Sequence, residues 1–458
     1  MLKKAVLAGL FASALASLGY AQEGPVPKGV VHLDHVFVIM MENHGYQQVI
    51  NNPNEPYLNS LIANKQVNLA TNYFAVGHPS LTNYLEIVGG SNFGVRSDNP
   101  PNWGSSTPCS PNIMTGIVNA DDAASTAMPP GPPAPIPIET GNVCPITGWG
   151  KDAATPAVDN WNEIGVVNGV IVFPFLADID GVKSIPAAKV VGMTIGDQLA
   201  QAGKSWKTYQ ENLPLGSPFG VNSSNGTVSN LTDFTDLAPW TSSSYVQDYA
   251  VKHNPFAYFQ SVQAGTQWNN SLANVVGFDG LHGLYADLST GDVPNFAFIV
   301  PNQCDDQHGR GNADDFCQYD FGADDTLTNG TQAGLNPGLM QQGDVTIQRL
   351  VEAIQGSSTW RHSRSAIVIV WDENDYSGIT TQPNGLFPRQ NQNTVVLTVQ
   401  TNHQKQQGIK SGNYYNSFSL LKSIESALGL PCLNHACDPN VAVMSDLFGV
   451  SSDNNDNW

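Results

Sequence analysis

Two apolar runs, each stopping at a pair of oxygen-bearing side chains, constrain this chain more than any other feature. HVFVIMMENHGY, from His35 to Tyr46, ends its apolar stretch at Glu42 and Asn43, and SAIVIVWDEND, from Ser365 to Asp375, ends at Asp372 and Glu373. Short apolar runs of this kind read as buried strands, typical of parallel sheets covered on both faces. Open α/β folds keep their chemistry at the carboxyl ends of such strands. Two strand ends far apart in sequence, each delivering oxygen ligands, predict a hard-metal site at one edge of one sheet.

The rest of the chain supplies strands and helices in alternation. Val30–Met41 reads as the first strand and the segment from Asn54 to Asn64 as a helix behind it. TIGDQLAQAG is a short helix closed by Gly203, and KSWKTYQENL a strand emerging towards Glu211. NFAFIVPN, SAIVIVWD and NTVVLTVQ read as strands, DVTIQRLVEAIQ and SFSLLKSIESALGL as amphipathic helices. The expected fold is α/β, a mainly parallel central sheet with helices on both faces. Pro-, Gly- and Ser-rich stretches near 91–159 and 214–244 read as irregular insertions into one domain covering 22–458. The first of them suits a substrate-facing lid or a surface decoration equally.

Lys3 and Lys4, the apolar run from Ala5 to Leu18 and small residues up to Ala21 have the layout of a cleaved signal peptide, placing the protein in a secreted or periplasmic compartment. No other segment approaches the roughly 20 apolar residues a membrane span needs. Without Lys3 and Lys4, 17 basic residues face 39 acidic ones. Such a charge repels nucleic acid and anionic lipid at long range, so neither is an expected partner. No obligate protein partner is evident. Six cysteines in an exported chain read as disulfides, with local spacing suggesting Cys109–Cys144, Cys304–Cys317 and Cys432–Cys437; free buried thiols are the other reading.

GHPSLTNYLEIVGG, Gly77 to Gly90, breaks regular structure and then opens a helix at Ser80 that ends at Gly89. Spacing alone leaves two meanings for Ser80. As an N-cap it satisfies a backbone N–H; as a nucleophile it sits beside amides and a dipole that favour phosphate.

Seven motifs in order, MENHGY, GHPSLTNYLEIVGG, SWKTYQENLP, KHNPFAYF, PNQCDDQH, VWDEND and SLLKSIESALG, resemble the phosphoesterase family of secreted acid phosphatases and phospholipases C in the alkaline phosphatase superfamily. They extend from about His35 to Leu430, and KHNPFAYF is similar to the acid-phosphatase branch. The resemblance implies an alkaline-phosphatase-like fold with Ser80 as nucleophile and Asn83 holding a phosphoryl oxygen. It also implies a divalent metal ion, calcium, magnesium, manganese or zinc, among Glu42, Asn43, Asp372 and Glu373. Asp306 would bind metal or orient His308. His78, His253 and His308 sit inside matched motifs, where imidazoles bind phosphate or protonate a leaving oxygen; His78 is assigned to substrate binding, His253 and His308 to catalysis.

The chain departs from the family pattern at two places. Ser417 stands where many relatives have histidine, which puts full activity or a second metal in question, and Thr82 replaces a proline before Asn83. The implied activity is metal-dependent hydrolysis of small soluble phosphate monoesters through a phosphoserine. A phospholipase C acting on headgroup diesters, with Trp103, Trp149 or Trp161 binding a cationic headgroup, is one alternative. A catalytically weakened phosphate-ester-binding protein is the other.

Overall fold

The computed structural model describes residues 23–76, 80–91, 93, 192–213, 221, 249–263, 265, 269–309, 317, 335–374, 394–404 and 407–450, with the backbone of short strands at 145–146, 165–167, 170–172 and 189–190. The signal-like leader, His78, the Cys109–Cys144 pair, Trp103, Trp149, Trp161 and nearly all of both insertions lie outside the described residues.

In chain order the elements that position the site are β1 (His35–Met41), α1 (Pro56–Ala63), β2 (Asn68–Ala70), α2 (Ser80–Gly89), α3 (Ile195–Gln201), β3 (Trp206–Gln210), β4 (Val275–Val276), β5 (Phe296–Val300), α4 (Pro337–Gly356), β6 (Ser365–Trp371), β7 (Leu397–Thr401), β8 (Lys410–Ser411) and α5 (Ser417–Leu428). The strands form one eight-stranded sheet in the order β8-β2-β7-β6-β1-β5-β3-β4. β1 pairs parallel with β5 and β6, β5 with β3, β3 with β4, and β8 with β2; β7 runs antiparallel to β6 and β2. The sheet is mainly parallel, as the alternation of elements predicts.

β1 lies at its centre, buried at every position after His35, and every residue of β6 is buried. This is why both read as unbroken apolar runs. Each Val, Ile, Met or Phe withdrawn from water there contributes roughly 1.5–3 kcal/mol. The strand starts at His35 rather than Val30, because Val30 instead forms an isolated bridge with Val450. α4 begins at Pro337, seven residues before the expected start at Asp344: Asn336 accepts from the amides of Gly338 and Leu339, and proline fits the first helical position. Thr194 caps α3, Asn416 caps α5, and Gly429 closes α5 in the left-handed conformation (φ 69°).

Helices pack around the sheet, with α2 against α5 and α1 against α4. Cys304–Cys317 and Cys432–Cys437 are disulfide-bonded, as their spacing suggests. Among the described residues no helix is long and apolar enough to cross a membrane.

Candidate active site

The register of β1 on β6 pairs His35 with Ser365 and Met41 with Trp371. One residue further on, Glu42 and Asp372 leave the sheet at the same level on neighbouring strands, and the Asp372 amide still bonds the Met41 carbonyl (3.0 Å). Parallel pairing thus brings together two oxygen-bearing pairs that are distant in sequence. Asn43 then adopts a left-handed backbone (φ 56°), a conformation asparagine tolerates better than most residues. Its amide donates to Asp372 Oδ1 (3.1 Å).

α2 delivers three side chains to this edge. Ser80, Asn83 and Tyr84 share one helix face by their i, i+3 and i+4 spacing. Ser80 Oγ lies 3.1 Å from Glu42 Oε2, 3.3 Å from Glu373 Oε1 and 3.3 Å from Lys252 Nζ. Asn83 donates from Nδ2 to Glu373 Oε2 (3.2 Å), and its Oδ1 accepts from the Val76 amide (3.1 Å). Tyr84 donates to Glu42 Oε1 (2.6 Å), and its ring stacks on His253.

A second layer comes from the turn Val251–His253 and the loop after β5. His253 sits between two carboxylates, Nε2 3.0 Å from Glu42 Oε1 and Nδ1 3.1 Å from Asp306 Oδ2. Burial alone would depress its pKa, but Glu42 and Asp306 outweigh burial and push it to about 9, so this ring is an imidazolium at neutral pH. Burial would likewise raise Glu42; His253, Lys252 and His308 overcome that and hold its carboxyl well below the usual range. Asp306 is pushed up to about 7 by burial, against the opposing pull of His253. His308 Nδ1 is 2.9 Å from the Gly309 carbonyl and Nε2 is 3.0 Å from Lys252 Nζ. Burial, with Lys252 beside it, lowers its pKa well below the ordinary value. His308 is therefore a neutral ring that donates to Gly309 and accepts from Lys252.

Glu42, Asp306, Asp372 and Glu373 are all buried, with Lys252 and His253 as the neighbouring cations. Burial and the adjacent Glu42 and Glu373 raise the pKa of Asp372 well above the carboxylate range. Among the described residues no hydrogen-bond donor reaches its buried Oδ2. An orphaned carboxylate oxygen inside a group of buried acids is the chemistry a divalent cation satisfies. Glu42, His253 and His308 also present ligand atoms within 4.8 Å of one another, close enough to hold a metal ion.

The structure brings Ser80, Asn83, Glu42, Asp372, Glu373, His253, Asp306 and His308 into one site. Asn43 enters through its backbone, and Asp306 contacts His253 and the His308 amide (2.7 Å). Ser417 is buried in the first turn of α5. Two participants escape sequence reasoning, Lys252 and Tyr84. Both carried a signal: Lys252 directly precedes His253 in KHNPFAYF, and Tyr84 lies one helical turn beyond Ser80.

Fold and site together define an α/β protein with a buried serine among carboxylates at the carboxyl edge of its sheet. The Phosphoesterase family profile matches residues 51–315, more than half of the chain, and the chain belongs to that family. It is 31% identical over 134 residues to an acid phosphatase of Aspergillus fumigatus, covering 29% of this chain and 24% of that protein. It is 35% identical over 106 residues to a phosphatidylinositol-3-phosphatase of Mycobacterium tuberculosis, covering 23% and 35%. The matches thus span about a quarter to a third of these relatives' lengths. A solved phosphonate monoester hydrolase of Agrobacterium radiobacter is 10% identical with a TM-score of 0.40, covering 92% of this chain and 78% of that one. A Vibrio parahaemolyticus protein of the alkaline phosphatase superfamily is 13% identical with a TM-score of 0.39, covering 92% and 71%. Both scores are too low to bear on activity.

Proposed function

We propose that the protein is an exported, metal-dependent phosphomonoesterase that transfers phosphate to Ser80 and then to water. The observation that carries this reading is the setting of the Ser80 hydroxyl, buried at the start of α2 between Glu42, Glu373 and Lys252. The phosphatases among its relatives support a phosphate ester as substrate.

Glu42, Asp372, Glu373 and the Ser80 oxygen would hold the metal, leaving His253 paired with Glu42 and Asp306 and His308 with Gly309 and Lys252. An all-oxygen set favours a hard ion such as calcium, magnesium or manganese over zinc. When bound, the ion would lower the hydroxyl pKa and neutralise phosphate charge. Asn43 and Asn83 act on the carboxylates: the Asn43 amide steadies Asp372 and the Asn83 side chain steadies Glu373.

Ser80 gives its proton to Glu373 as its oxygen bonds phosphorus, the ester P–O bond breaks, and the leaving oxygen takes a proton from solvent. Water then bonds phosphorus, the Ser80 O–P bond breaks with release of inorganic phosphate, and the Ser80 oxygen takes back the proton held by the carboxylate. His253, held by Asp306, and the Tyr84 hydroxyl orient Glu42. His78, whose motif position suggests a phosphate contact, belongs to the proposal on resemblance alone. The two disulfides and the leader-like first residues support an oxidising compartment outside the cytosol.

Ser80→Ala, assayed on p-nitrophenyl phosphate with divalent metal present, is expected to lose several orders of magnitude in rate. It should still fold, with a loss of roughly 1–3 kcal/mol, the value of a buried hydroxyl bonded to charged groups. Acid quench of the active wild-type protein, followed by peptide mass spectrometry, should find phosphate on Ser80. Wild-type turnover in the alanine variant would sink the reading.

A further inference from the structure

Lys252 is 2% exposed and belongs to the turn that also carries His253. Its ammonium is 3.3 Å from the Ser80 oxygen and 3.0 Å from His308 Nε2. The tautomer of His308 fixes the direction of this contact, since Nδ1 faces the Gly309 carbonyl and Nε2 can only accept. A flexible four-carbon stem is thereby held with its charge on the nucleophile. The carboxylates Glu42 and Glu373 contact the same Ser80 oxygen. A phosphorus atom bonding to Ser80 Oγ would carry its non-bridging oxygens within reach of that ammonium.

We propose that Lys252 is the specificity-determining residue of the site, selecting phosphate monoesters over diesters. This rests on the phosphomonoesterase reading and deepens it. A monoester presents three non-bridging oxygens sharing up to two negative charges; a diester has two such oxygens, one charge and a second O-alkyl group. Ser80 contacts both the carboxylate set and Lys252, so a monoester bonded there offers one anionic oxygen to the metal and another to the ammonium. A diester either leaves the ammonium facing an ester oxygen and its alkyl group or turns its single charge away from the metal. Ser80, Lys252, Glu42 and Glu373 are buried, and an unmatched buried charge is far more unfavourable than one at the surface. Discrimination then comes from repelling the wrong substrate as much as from holding the right one.

The test compares kcat/KM on p-nitrophenyl phosphate and bis-p-nitrophenyl phosphate for the wild type, Lys252→Met and Lys252→Arg, with inhibition by inorganic phosphate and by dimethyl phosphate. Lys252→Met is expected to lose about 100-fold on the monoester and less than about 10-fold on the diester. Its inhibition by phosphate should weaken while that by dimethyl phosphate changes little, and Lys252→Arg, which keeps the charge, should retain more of the monoester preference than Lys252→Met. Equal losses on both esters would overturn the inference. If Lys252→Met does not fold, Lys252→Arg and the wild type decide it: dimethyl phosphate inhibiting the wild type as tightly as phosphate overturns it, as does an unchanged ester ratio in a Lys252→Gln variant. A wild-type protein inactive on both esters sinks the phosphoesterase reading instead.

Discussion

Asp372 shows how one atom exposes the needs of the whole site. Its Oδ1 accepts the Asn43 amide, while among the described residues no donor reaches its buried Oδ2 beside Glu42 and Glu373. Burying an unpaired charge is unfavourable, so without a cation this carboxyl is driven towards its neutral form. Asp372→Asn keeps an acceptor for the Asn43 amide and removes the charge. Calcium, magnesium or manganese affinity, measured by titration calorimetry, should fall by at least about 10-fold. In chelator-treated protein the same variant should melt no lower than the wild type, because it deletes a buried carboxylate with nothing to pair with. Unchanged metal affinity would remove Asp372 from the ligand set.

At the scale of elements, the loop after β5 is held by parts of the fold that never touch Ser80. Gln307, between Asp306 and His308, has a left-handed backbone (φ 80°). Its side chain donates to Glu55 and to the Met340 carbonyl and accepts from Trp371 Nε1 (3.0 Å), tying the loop to the start of α1, to α4 and to β6. Asp344, on α4, in turn accepts the amides of Tyr57 and Leu58 at the start of α1 (2.7 and 2.9 Å). Gly343 makes this possible: a Cβ there would stand 2.3 Å from Gln307 Cγ. Gly343→Ala should therefore destabilise the protein by about 1–3 kcal/mol through overpacking, less the fraction of a kcal/mol that alanine contributes to a helix. Its kcat should fall as well, since Asp306 and His308 flank the displaced residue. Thermal melting and steady-state kinetics check both; a variant as stable and active as its parent would show that α4 does not position this loop.

For the whole molecule, the buried carboxyls set the response to pH. Glu55, Glu211 and Glu425 are pushed well above the usual carboxylate range, in each case first by burial. Glu425 keeps one bond to the Leu433 amide (2.8 Å), and neither that bond nor Lys422 offsets its desolvation. A carboxyl whose folded pKa exceeds its unfolded one stabilises the fold fully below the unfolded value, and that contribution is lost as pH rises through the folded value. Self-repulsion from a net charge of −20 acts in the same direction. Glu42, held down, opposes at the acid end, where its contribution is lost as pH falls. The melting temperature should accordingly be highest in mild acid and decline as pH rises from there. Glu425→Gln, whose Oε1 can still accept from Leu433, should flatten part of that decline. A melting temperature that climbs with pH would contradict this account.

Much of this protein was legible along the chain because the signals were local. Apolar runs ending at Glu42–Asn43 and Asp372–Glu373 marked two buried strands and their chemical ends, and Ser80 to Gly89 carried the start, periodicity and stop of its own helix. Strands alternating with helices implied the mainly parallel sheet. Which residues meet was another matter. Glu42 stands beside Asp372 only because β1 and β6 are neighbours in one particular register, a choice made by the packing of a sheet whose strands are hundreds of residues apart. The approach of Lys252 to Ser80 and the bracing of His253 between Glu42 and Asp306 follow from the same packing. Side-chain type and spacing act over a few residues, whereas register, burial and the charge felt by each carboxyl arise only when the core closes around them.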